Sequence, residues 1–405
     1  MATTSDELLL PLSPMDAVMH NFGFVIMYIF PPSASAYDLD KLQSSFISLV
    51  EQDYPHLIGE LYVDPNTRVI NVKQTAESRQ KGAAGIRFET NPRNSMTTDQ
   101  AIQERSWDLM PTTRGKMELI CTKGTILNDG GLVIGVDATH TLFDGEAMFT
   151  FMKVWGQHYS GVKKEDRVVV NHDRHLLRGT GEPSKMLHPE FRVVKAGEGE
   201  VSGSSQGPPP TAHHLFHFTP DMMKTIKEVA TRGDGTESSY VSTTDAITAL
   251  FTVMISRARG HGQDVKITTG MNARRRLDPP LPLNYVGNVI FNALSTYTNS
   301  ELQPSEEEDV VSPRILGQLA RRVRKSILQR DDTYLRDAVN FLIEQSNISA
   351  VQVGTNSVFG PDLMFTSHCH MAQKGGDGVD VGVFLECTAM EKLKTMFAGV
   401  EYLHD

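Results

Sequence analysis

Apolar positions in the first half of the chain follow a helical period in one stretch and form short runs in others. Apolar residues at i, i+4, i+7 and i+8 predict one face of a helix: Leu42, Phe46, Leu49 and Val50. Tyr54-Pro55 ends this helix, because proline disfavours helical geometry in the residue before it. Short apolar runs predict strands at 68–72 and 132–136, and Asp144-Gly145 then opens another helix. The first half therefore predicts alternating helices and strands.

The second half shows the same mixture of periods. Residues 216–218 predict a short strand, and 221–231 predict the helix after it. Ser242-Thr-Thr-Asp245 has the spacing of a helix capping box, with Asp in place of the usual Glu or Gln. Apolar residues behind it keep a 3.6 period, and alternating apolar residues at 379–387 predict a half-buried strand. We therefore predict a mixed α/β (α+β) fold in two halves of similar size.

One compositional break separates the two halves. Residues 193–212 are rich in Gly, Ser and Pro and poor in large apolar side chains. Such a segment buries too little apolar surface to offset the entropy of ordering, and it is typical of a flexible connection. We therefore predict an N-terminal domain at 1–192, a crossover linker at 193–212 and a C-terminal domain at 213–405.

Composition and charge narrow the class of protein. The 405 residues are 40% hydrophobic and 22% charged, an ordinary balance for a folded chain. With 39 Lys and Arg against 49 Asp and Glu, the net charge of −10 disfavours a nucleic-acid binder. No apolar run approaches the roughly 20 residues of a membrane span, and the acidic start lacks the basic region of a signal peptide. The three cysteines form no paired framework. We expect a cytoplasmic protein with no nucleic-acid and no membrane partner.

The segment with the clearest chemistry ends at His140. This histidine comes at the end of the apolar segment in which a strand is predicted at 132–136, and Asp144-Gly145 follows four residues later. An imidazole exchanges protons near neutral pH, so at a strand end it could take a proton from a hydroxyl or amine that attacks an activated carbonyl. Asp144 could orient the imidazole, or could cap the next helix and bind an arginine. The spacing alone does not choose, and a histidine beside an ordinary Asp-Gly turn fits it too.

Further blocks match one protein family in that family's order. His140-Thr-Leu-Phe-Asp144-Gly145 fits an H-x-x-x-D-G motif, and Trp155 fits a tryptophan on the helix after it. The other matching blocks are Leu12-Ser-Pro-Met-Asp16, Tyr54-Pro55-His-Leu-Ile-Gly59, Val241-Ser-Thr-Thr-Asp245-Ala-Ile-Thr-Ala-Leu, Asn272-Ala-Arg274-Arg275-Arg276-Leu-Asp-Pro-Pro-Leu-Pro and Tyr285-Val-Gly287-Asn288. On these blocks the sequence resembles the BAHD acyltransferases, especially their fungal branch, which is similar to the trichothecene O-acetyltransferases.

The resemblance implies two chloramphenicol-acetyltransferase-like domains, each a mixed β-sheet with flanking helices, around a central channel. His140 would be the general base that deprotonates the acceptor, which then attacks the acyl-CoA thioester while both substrates are bound. Asp144 would be a structural residue, with Arg274 or Arg276 as its partner. The resemblance also implies a monomer that takes acyl-CoA as cosubstrate and a small-molecule acceptor, with no bound cofactor.

Four residues are candidates for contacts with CoA: Arg274, Arg276, Ser242 and Thr243. The arginines could instead hold Asp144 and surface carboxylates. His368-Cys369-His370 looks like part of a metal cluster, but no further ligands are near it in sequence. We therefore predict no metal site.

One departure from the family pattern keeps a second function open. The family usually carries D-F-G-W-G near its C-terminal end, and nothing in residues 368–378 resembles it. The alternative is a CoA-independent isomerisation, elimination or cyclisation of a secondary metabolite at His140, which failure to bind CoA would indicate. A carrier-protein-dependent or non-enzymatic relative is disfavoured, because Thr139 stands where condensation domains carry a second histidine.

Overall fold

A computed structural model describes residues 7–194, 208–233, 240–303, 310–368 and 378–404, and these contain fourteen strands and twelve α-helices. The strands are Leu8–Pro11 (β1), Gly23–Phe30 (β2), Glu60–Val63 (β3), Ile70–Gln74 (β4), Phe88–Asn91 (β5), Ile120–Ile126 (β6), Leu132–Thr139 (β7), Phe191–Val193 (β8), Thr211–Phe218 (β9), Val265–Asn272 (β10), Ile290–Tyr297 (β11), Val351–Val353 (β12), Leu363–Phe365 (β13) and Val379–Glu386 (β14). The α-helices are Pro14–Ala17 (α1), Leu39–Asp53 (α2), Ala76–Lys81 (α3), Thr98–Glu104 (α4), Gly145–Tyr159 (α5), Pro220–Arg232 (α6), Thr243–Arg259 (α7), Asn299–Leu302 (α8), Pro313–Leu328 (α9), Asp332–Ile343 (α10), Cys387–Ala398 (α11) and Glu401–His404 (α12).

Packing divides the chain into two compact units, each made of three segments. The first unit consists of Met1–Ser184, Pro279–Val289 and Asp337–Val351, and the second of Lys185–Asp278, Ile290–Arg336 and Gln352–Asp405. This division differs from the continuous halves 1–192 and 213–405, because two late segments pack with the first unit. Residues 195–207 of the predicted linker lie outside the described residues, and β9 already begins at Thr211 within that linker.

The first unit is built on two sheets and the helices that cover them. One sheet has the order β2-β7-β6-β5, with only the β5–β6 pair parallel, and the other is antiparallel in the order β1-β4-β3. Strand β7 is buried along its whole length, as expected for an apolar run in the middle of a sheet. It therefore gives the residue that follows it a rigid support.

Helices α2 and α5 pack on each other in the core of the first unit. The stripe predicted for α2 is buried, and the helix ends at Asp53, just before the Tyr54-Pro55 stop. Trp155 on α5 is 1% exposed, and its indole nitrogen donates a hydrogen bond to Ser45 Oγ at 3.0 Å. The ring centroids of Phe46 and Trp155 lie 5.2 Å apart in an edge-to-face arrangement, which favours this packing.

Two strand predictions in this unit needed correction at their ends. The strand predicted at 68–72 is β4 at Ile70–Gln74, because Arg68 has a φ of +59° and still belongs to the preceding turn. Asp64 Oδ1 accepts hydrogen bonds from the backbone N–H groups of Asn66 and Thr67, which builds that turn. The strand predicted at 132–136 continues to Thr139, because β7 pairs with both β2 and β6 over the added residues.

The second unit also combines sheets with flanking helices. Its sheets have the orders β11-β10-β13, in which β10 and β13 are parallel, β14-β9, which is antiparallel, and β12-β8. Helices α6, α7, α9 and α11 pack together around a large apolar core. The predicted capping box is confirmed: Ser242 Oγ accepts from the N–H of Asp245 at 3.2 Å, and Asp245 accepts from the N–H of Ser242 at 2.8 Å. The predicted fold class, mixed sheets with flanking helices, is confirmed in both units.

Two further boundaries in this unit differ from the sequence prediction. Strand β9 covers eight residues rather than the predicted 216–218, because it pairs with β14 along its whole length. The alternating segment 379–387 forms β14 up to Glu386, and Cys387 begins α11.

Among the described helices, none combines the length and apolar character needed to cross a membrane.

Candidate active site

His140 directly follows the buried strand β7. Its backbone N–H donates to the carbonyl of Phe22 at 2.9 Å, which continues the pairing of β7 with β2 by one residue. The ring of Phe24 meets the imidazole edge-on, with centroids 5.4 Å apart and planes at 81°. The backbone and one side of the imidazole are thus fixed by β2, while the side chain stays partly exposed.

Asn288 binds both the side chain and the backbone of His140. Its Nδ2 lies 2.6 Å from the carbonyl oxygen of His140, 2.9 Å from that of Thr141 and 3.2 Å from Asp16 Oδ1. All three partners are acceptors, so the amide nitrogen must stand on that side. Asn288 Oδ1 then faces His140 Nδ1 at 3.0 Å.

This arrangement determines the tautomer of the neutral imidazole. An amide oxygen can only accept a hydrogen bond, so Nδ1 of His140 must carry the proton that it donates to Asn288 Oδ1. In a neutral ring Nε2 is then unprotonated. The site therefore presents a lone pair at Nε2, which is the requirement for a general base.

Asp144 caps the helix that follows His140. Its Oδ1 accepts from the N–H of Ala147 at 2.9 Å, and its Oδ2 accepts from the N–H of Val289 at 2.9 Å. The residue is 1% exposed. Of the two roles that the spacing left open, this geometry supports helix capping, and the imidazole is oriented by Asn288. The predicted pairing of Asp144 with Arg274 or Arg276 stays a prediction.

The residues predicted to contact CoA all lie in the second unit. Arg274 is 1% exposed and its guanidinium donates to Asn272 Oδ1 at 3.3 Å, so its surroundings are those of a structural arginine. Arg276 is partly exposed and donates to the carbonyl of Ile327. Ser242 and Thr243 begin α7, where the hydroxyl of Ser242 is already used in the capping box. Contacts of these four residues with CoA stay predictions.

Sequence reasoning missed the roles of three residues: Asn288, which binds His140, and Asp16 and Arg174, which bind Asn288 and its segment. Asn288 and Asp16 stood within matched blocks but had no assigned role, and Arg174 stood in none. Asp16 is fully buried and binds Arg174 Nε at 2.9 Å. Asn288 lies 148 residues after His140 in the chain, a separation over which no periodic pattern signals a contact. The one signal available in the sequence was that Asn288 and Asp16 are polar residues inside matched blocks and had no assigned role.

A second polar cluster, His56 and His172, lies near Arg174. The two rings meet at 4.4 Å between centroids, and His172 Nε2 contacts the backbone carbonyl of Asp53 at 2.6 Å. Burial lowers the pKa of His172 from its ordinary 6.5 to about 4. Burial, followed by the charges of His172 and Arg174, holds the pKa of His56 well below 6.5. Both rings are therefore neutral in the folded protein near pH 7.

We expect acid to destabilise the protein through this histidine pair. Between the folded and unfolded pKa values the unfolded chain binds more protons, so the free energy of unfolding falls as the pH drops below about 6.5. Each histidine contributes at most about 1.4 kcal/mol per pH unit. For His172 the loss levels off below about pH 4. Urea unfolding at several pH values should show a shallower acid loss in His172→Gln than in the wild type.

An exposed histidine three residues after His172 gives the matched control for that measurement. His175→Gln should keep the pH dependence of the wild type, since His175 is open to solvent. An identical acid loss in the wild type and His172→Gln would show that other groups account for it.

Within the described residues, no group of three or more His, Cys, Asp or Glu side chains is arranged to hold a metal ion. Cys369 and His370 of the segment discussed above lie outside those residues.

Comparisons with known proteins agree with the likeness found in the motifs. The sequence profile of the Transferase family matches residues 2–377. Hydroxycinnamoyltransferase 1 of Oryza sativa subsp. japonica is 28% identical over 256 residues, which cover 62% of this chain but only 55% of the rice protein. Shikimate O-hydroxycinnamoyltransferase of Nicotiana tabacum is 24% identical over 367 residues, covering 88% of this chain and 80% of the tobacco protein.

The fold also matches solved structures. TRI101 of F. graminearum, crystallised with coenzyme A and deoxynivalenol, superposes with a TM-score of 0.74 over 98% of each chain. At 16% sequence identity this likeness shows the fold alone. The family match spans most of the chain, and the curated relatives it resembles are acyltransferases. The chain therefore belongs to the Transferase family, that of the BAHD acyltransferases, and is an enzyme of this acyltransferase class.

Proposed function

We propose that this enzyme transfers an acyl group from acyl-CoA to a hydroxyl or amine of a small natural product, with His140 as general base. The observation that carries the proposal is the fixed tautomer at His140. Asn288 Oδ1 accepts from Nδ1 at 3.0 Å, and this leaves Nε2 unprotonated. A base of this kind contributes typically about 10²–10⁴-fold to a rate.

The proposed reaction has one base and no covalent enzyme intermediate. Nε2 of His140 takes the proton of the acceptor as its oxygen or nitrogen bonds to the thioester carbonyl carbon. The tetrahedral intermediate collapses by breaking the carbon–sulfur bond, and the imidazolium returns the proton to the CoA thiolate. Asn288 Oδ1 stabilises the imidazolium, because it accepts a hydrogen bond from the Nδ1–H group of His140 in every step. Both substrates are bound at once in this scheme, which also places the reacting atoms.

We also propose that the start of α7 contributes to binding the phosphate groups of CoA. Tyr240 is 68% exposed beside this helix, with Lys227 Nζ at 5.3 Å and the Arg324 guanidinium at 5.4 Å from its ring centroid. Arg324 is already paired with Asp245, so the ammonium of Lys227 and the positive end of the α7 dipole are the features that favour a negatively charged ligand. The proposal extends the predicted contacts of Ser242 and Thr243 to the side chain of Lys227.

Calorimetric titration with CoA and acetyl-CoA tests this function. We expect micromolar binding of both, because the thioester donor must bind before transfer. Lys227→Ala should weaken CoA binding about threefold to tenfold through loss of one charge contact. Lys392→Ala removes an exposed lysine from α11, a helix with no predicted contact with CoA, and is the matched control.

The titration also separates the proposal from its alternative. No binding up to millimolar CoA would contradict acyl transfer from CoA. It would favour the CoA-independent chemistry that the absence of a D-F-G-W-G sequence in 368–378 suggested. Where CoA binds, thiol release with candidate alcohols and amines identifies the acceptor. The proposal includes a monomer, which rests on family likeness, and a cytoplasmic location, which rests on three cysteines without a paired framework.

A further inference from the structure

The two units contain the same local constellation of a serine, an aspartate three residues later and an arginine. In the first unit Ser13 and Asp16 form a capping box at α1, and Arg174 Nε donates to Asp16 Oδ2 at 2.9 Å. In the second unit Ser242 and Asp245 form a capping box at α7, and Arg324 Nε donates to Asp245 Oδ2 at 2.7 Å. Both aspartates are almost fully buried, with exposures of 0% and 1%. The helix start and the arginine therefore use the same carboxylate oxygen in each case.

The two constellations differ at the other carboxylate oxygen. Asp245 Oδ1 is buried and has no hydrogen-bond partner among the described residues. Asp16 Oδ1 accepts from the backbone N–H of Asn288 at 2.8 Å and from its Nδ2 at 3.2 Å. Asp245 shows that the capping box and the ion pair do not require a bond at Oδ1. The bonds from Asp16 Oδ1 to Asn288 are thus a separate feature of the first unit.

From this difference we propose that Asp16 is a positioning residue that acts through Asn288 on the tautomer of His140. The inference rests on the proposed role of His140 as base. A carboxylate accepts hydrogen bonds and donates none, so it stabilises only the amide orientation that turns Nδ2 toward it. That orientation turns Asn288 Oδ1 toward His140 Nδ1. Reversal of the amide would place its nitrogen against Nδ1, and the ring would then carry its proton on Nε2 instead.

Arg174 holds the carboxylate of Asp16 in the position from which it accepts hydrogen bonds from Asn288. Its Nε binds Asp16 Oδ2, and its Nη1 donates to the carbonyl of Val286, two residues before Asn288. A Cβ atom at Gly287 would stand 2.6 Å from Arg174 Nη1, so this position needs a glycine for the arginine to pass. Arg174 therefore connects the aspartate to the segment that carries Asn288. It compensates the charge of a carboxylate that would otherwise be buried without a counter-ion.

Asp16→Asn removes the charge with the smallest change in shape. The new amide can still offer an oxygen to Asn288, but its NH₂ group must then face the Nε–H of Arg174 and the N–H of Ser13. Two donors would oppose the new NH₂, so the side chain cannot satisfy both sides. The carbonyls of His140 and Thr141 still accept from Asn288 Nδ2, so the variant weakens the preference for this amide orientation without abolishing it. We therefore expect the second tautomer of His140 to become a detectable minor form.

NMR of ¹⁵N-histidine-labelled full-length protein reads the tautomer without reference to turnover. The His140 signals are assigned by their loss in His140→Asn, and the ¹⁵N shifts of Nδ1 and Nε2 distinguish the two tautomers of the neutral ring. The wild type should show only the Nδ1–H form. Asp16→Asn should show a detectable fraction of the Nε2–H form, with kcat lowered by about the same fraction, at most about twofold when the two tautomers are equally populated, and the Kd for CoA within twofold of the wild type.

Asp245→Asn is the matched control, because it makes the same change in the same local constellation without a contact to Asn288. It should leave the His140 signals as in the wild type. Arg174→Lys is a second test should Asp16→Asn fail to fold: it should mix the tautomers in the same direction, with a smaller loss of kcat. A pure Nδ1–H form in a folded Asp16→Asn or Arg174→Lys protein would overturn the proposal, whatever the change in kcat.

The proposed function and this inference fail in different experiments. Normal turnover by His140→Asn would rule out His140 as the general base. The tautomer measurement on Asp16→Asn would still decide whether Asp16 orients the ring. A change of tautomer in both Asp16→Asn and Asp245→Asn would indicate a general loosening of the protein, and it too would overturn a specific role for Asp16.

Discussion

His140→Asn is expected to lower kcat by about 10²–10⁴-fold, the usual contribution of a general base, while the protein folds normally. The asparagine amide can supply a donor near the position of Nδ1, so the hydrogen bond to Asn288 Oδ1 is retained. The substitution removes Nε2 and with it the lone pair that takes the acceptor's proton. Turnover of an acyl-CoA by thiol release, measured with thermal unfolding on the same samples, checks this result.

A comparison of two substitutions separates the loss of the base, Nε2 of His140, from the loss of the hydrogen bond between His140 and Asn288. His140→Ala removes both ring nitrogens and leaves Asn288 Oδ1 without its partner, so it should lose the same activity and some stability as well. His140→Asn should lose activity alone, with CoA affinity unchanged. Activity near the wild-type level in either variant would rule out His140 as the base.

Asp144→Ala is expected to lower the free energy of unfolding by about 2–4 kcal/mol. The carboxylate accepts from two buried N–H groups, those of Ala147 and Val289. Loss of a helix cap costs about 1 kcal/mol, and a buried N–H left without an acceptor costs about 1–3 kcal/mol more. Activity should fall too, because Val289 is the neighbour of Asn288. Urea unfolding followed by circular dichroism measures the change.

Asp38→Ala provides the control for that measurement. Asp38 caps α2 in the same unit by accepting from the N–H of Lys41 at 3.0 Å, but it is exposed to solvent and holds no second segment. Its loss should therefore cost only about 1 kcal/mol. A fully stable Asp144→Ala protein that is inactive only in the chemical step would contradict the structural role and reopen a direct role in orienting the imidazole.

Local patterns in the sequence predicted four of the described helices (α2, α5, α6 and α7) and four of the described strands (β4, β7, β9 and β14). The stripe on α2 and the capping box of Ser242 depend on neighbours three or four residues apart, and both were correct because such contacts leave a period in the sequence. Strand ends were less accurate. The last residues of β7 and the first residues of β9 are held by pairing with distant strands, which no local pattern records.

The candidate site was only partly visible in the sequence for the same reason. His140 could be found because a polar residue ends an apolar strand, and Asp144 because Asp-Gly begins a helix. Asn288, Asp16 and Arg174 reach the site from three other places in the chain, by single hydrogen bonds and an ion pair. One polar contact between distant residues leaves neither a period nor a compositional signal.

The order of synthesis sets a limit on when this site can form. Asn288 belongs to the first unit, yet the ribosome adds it 148 residues after His140, when much of the second unit has already been made. At about 5–20 residues per second this delay is roughly 7–30 s. During that time Asp16 and Arg174 lack the segment that they hold in the finished protein. A nascent chain that stops before residue 288 carries the histidine motif but lacks the hydrogen bond to Asn288 that fixes the tautomer of the ring.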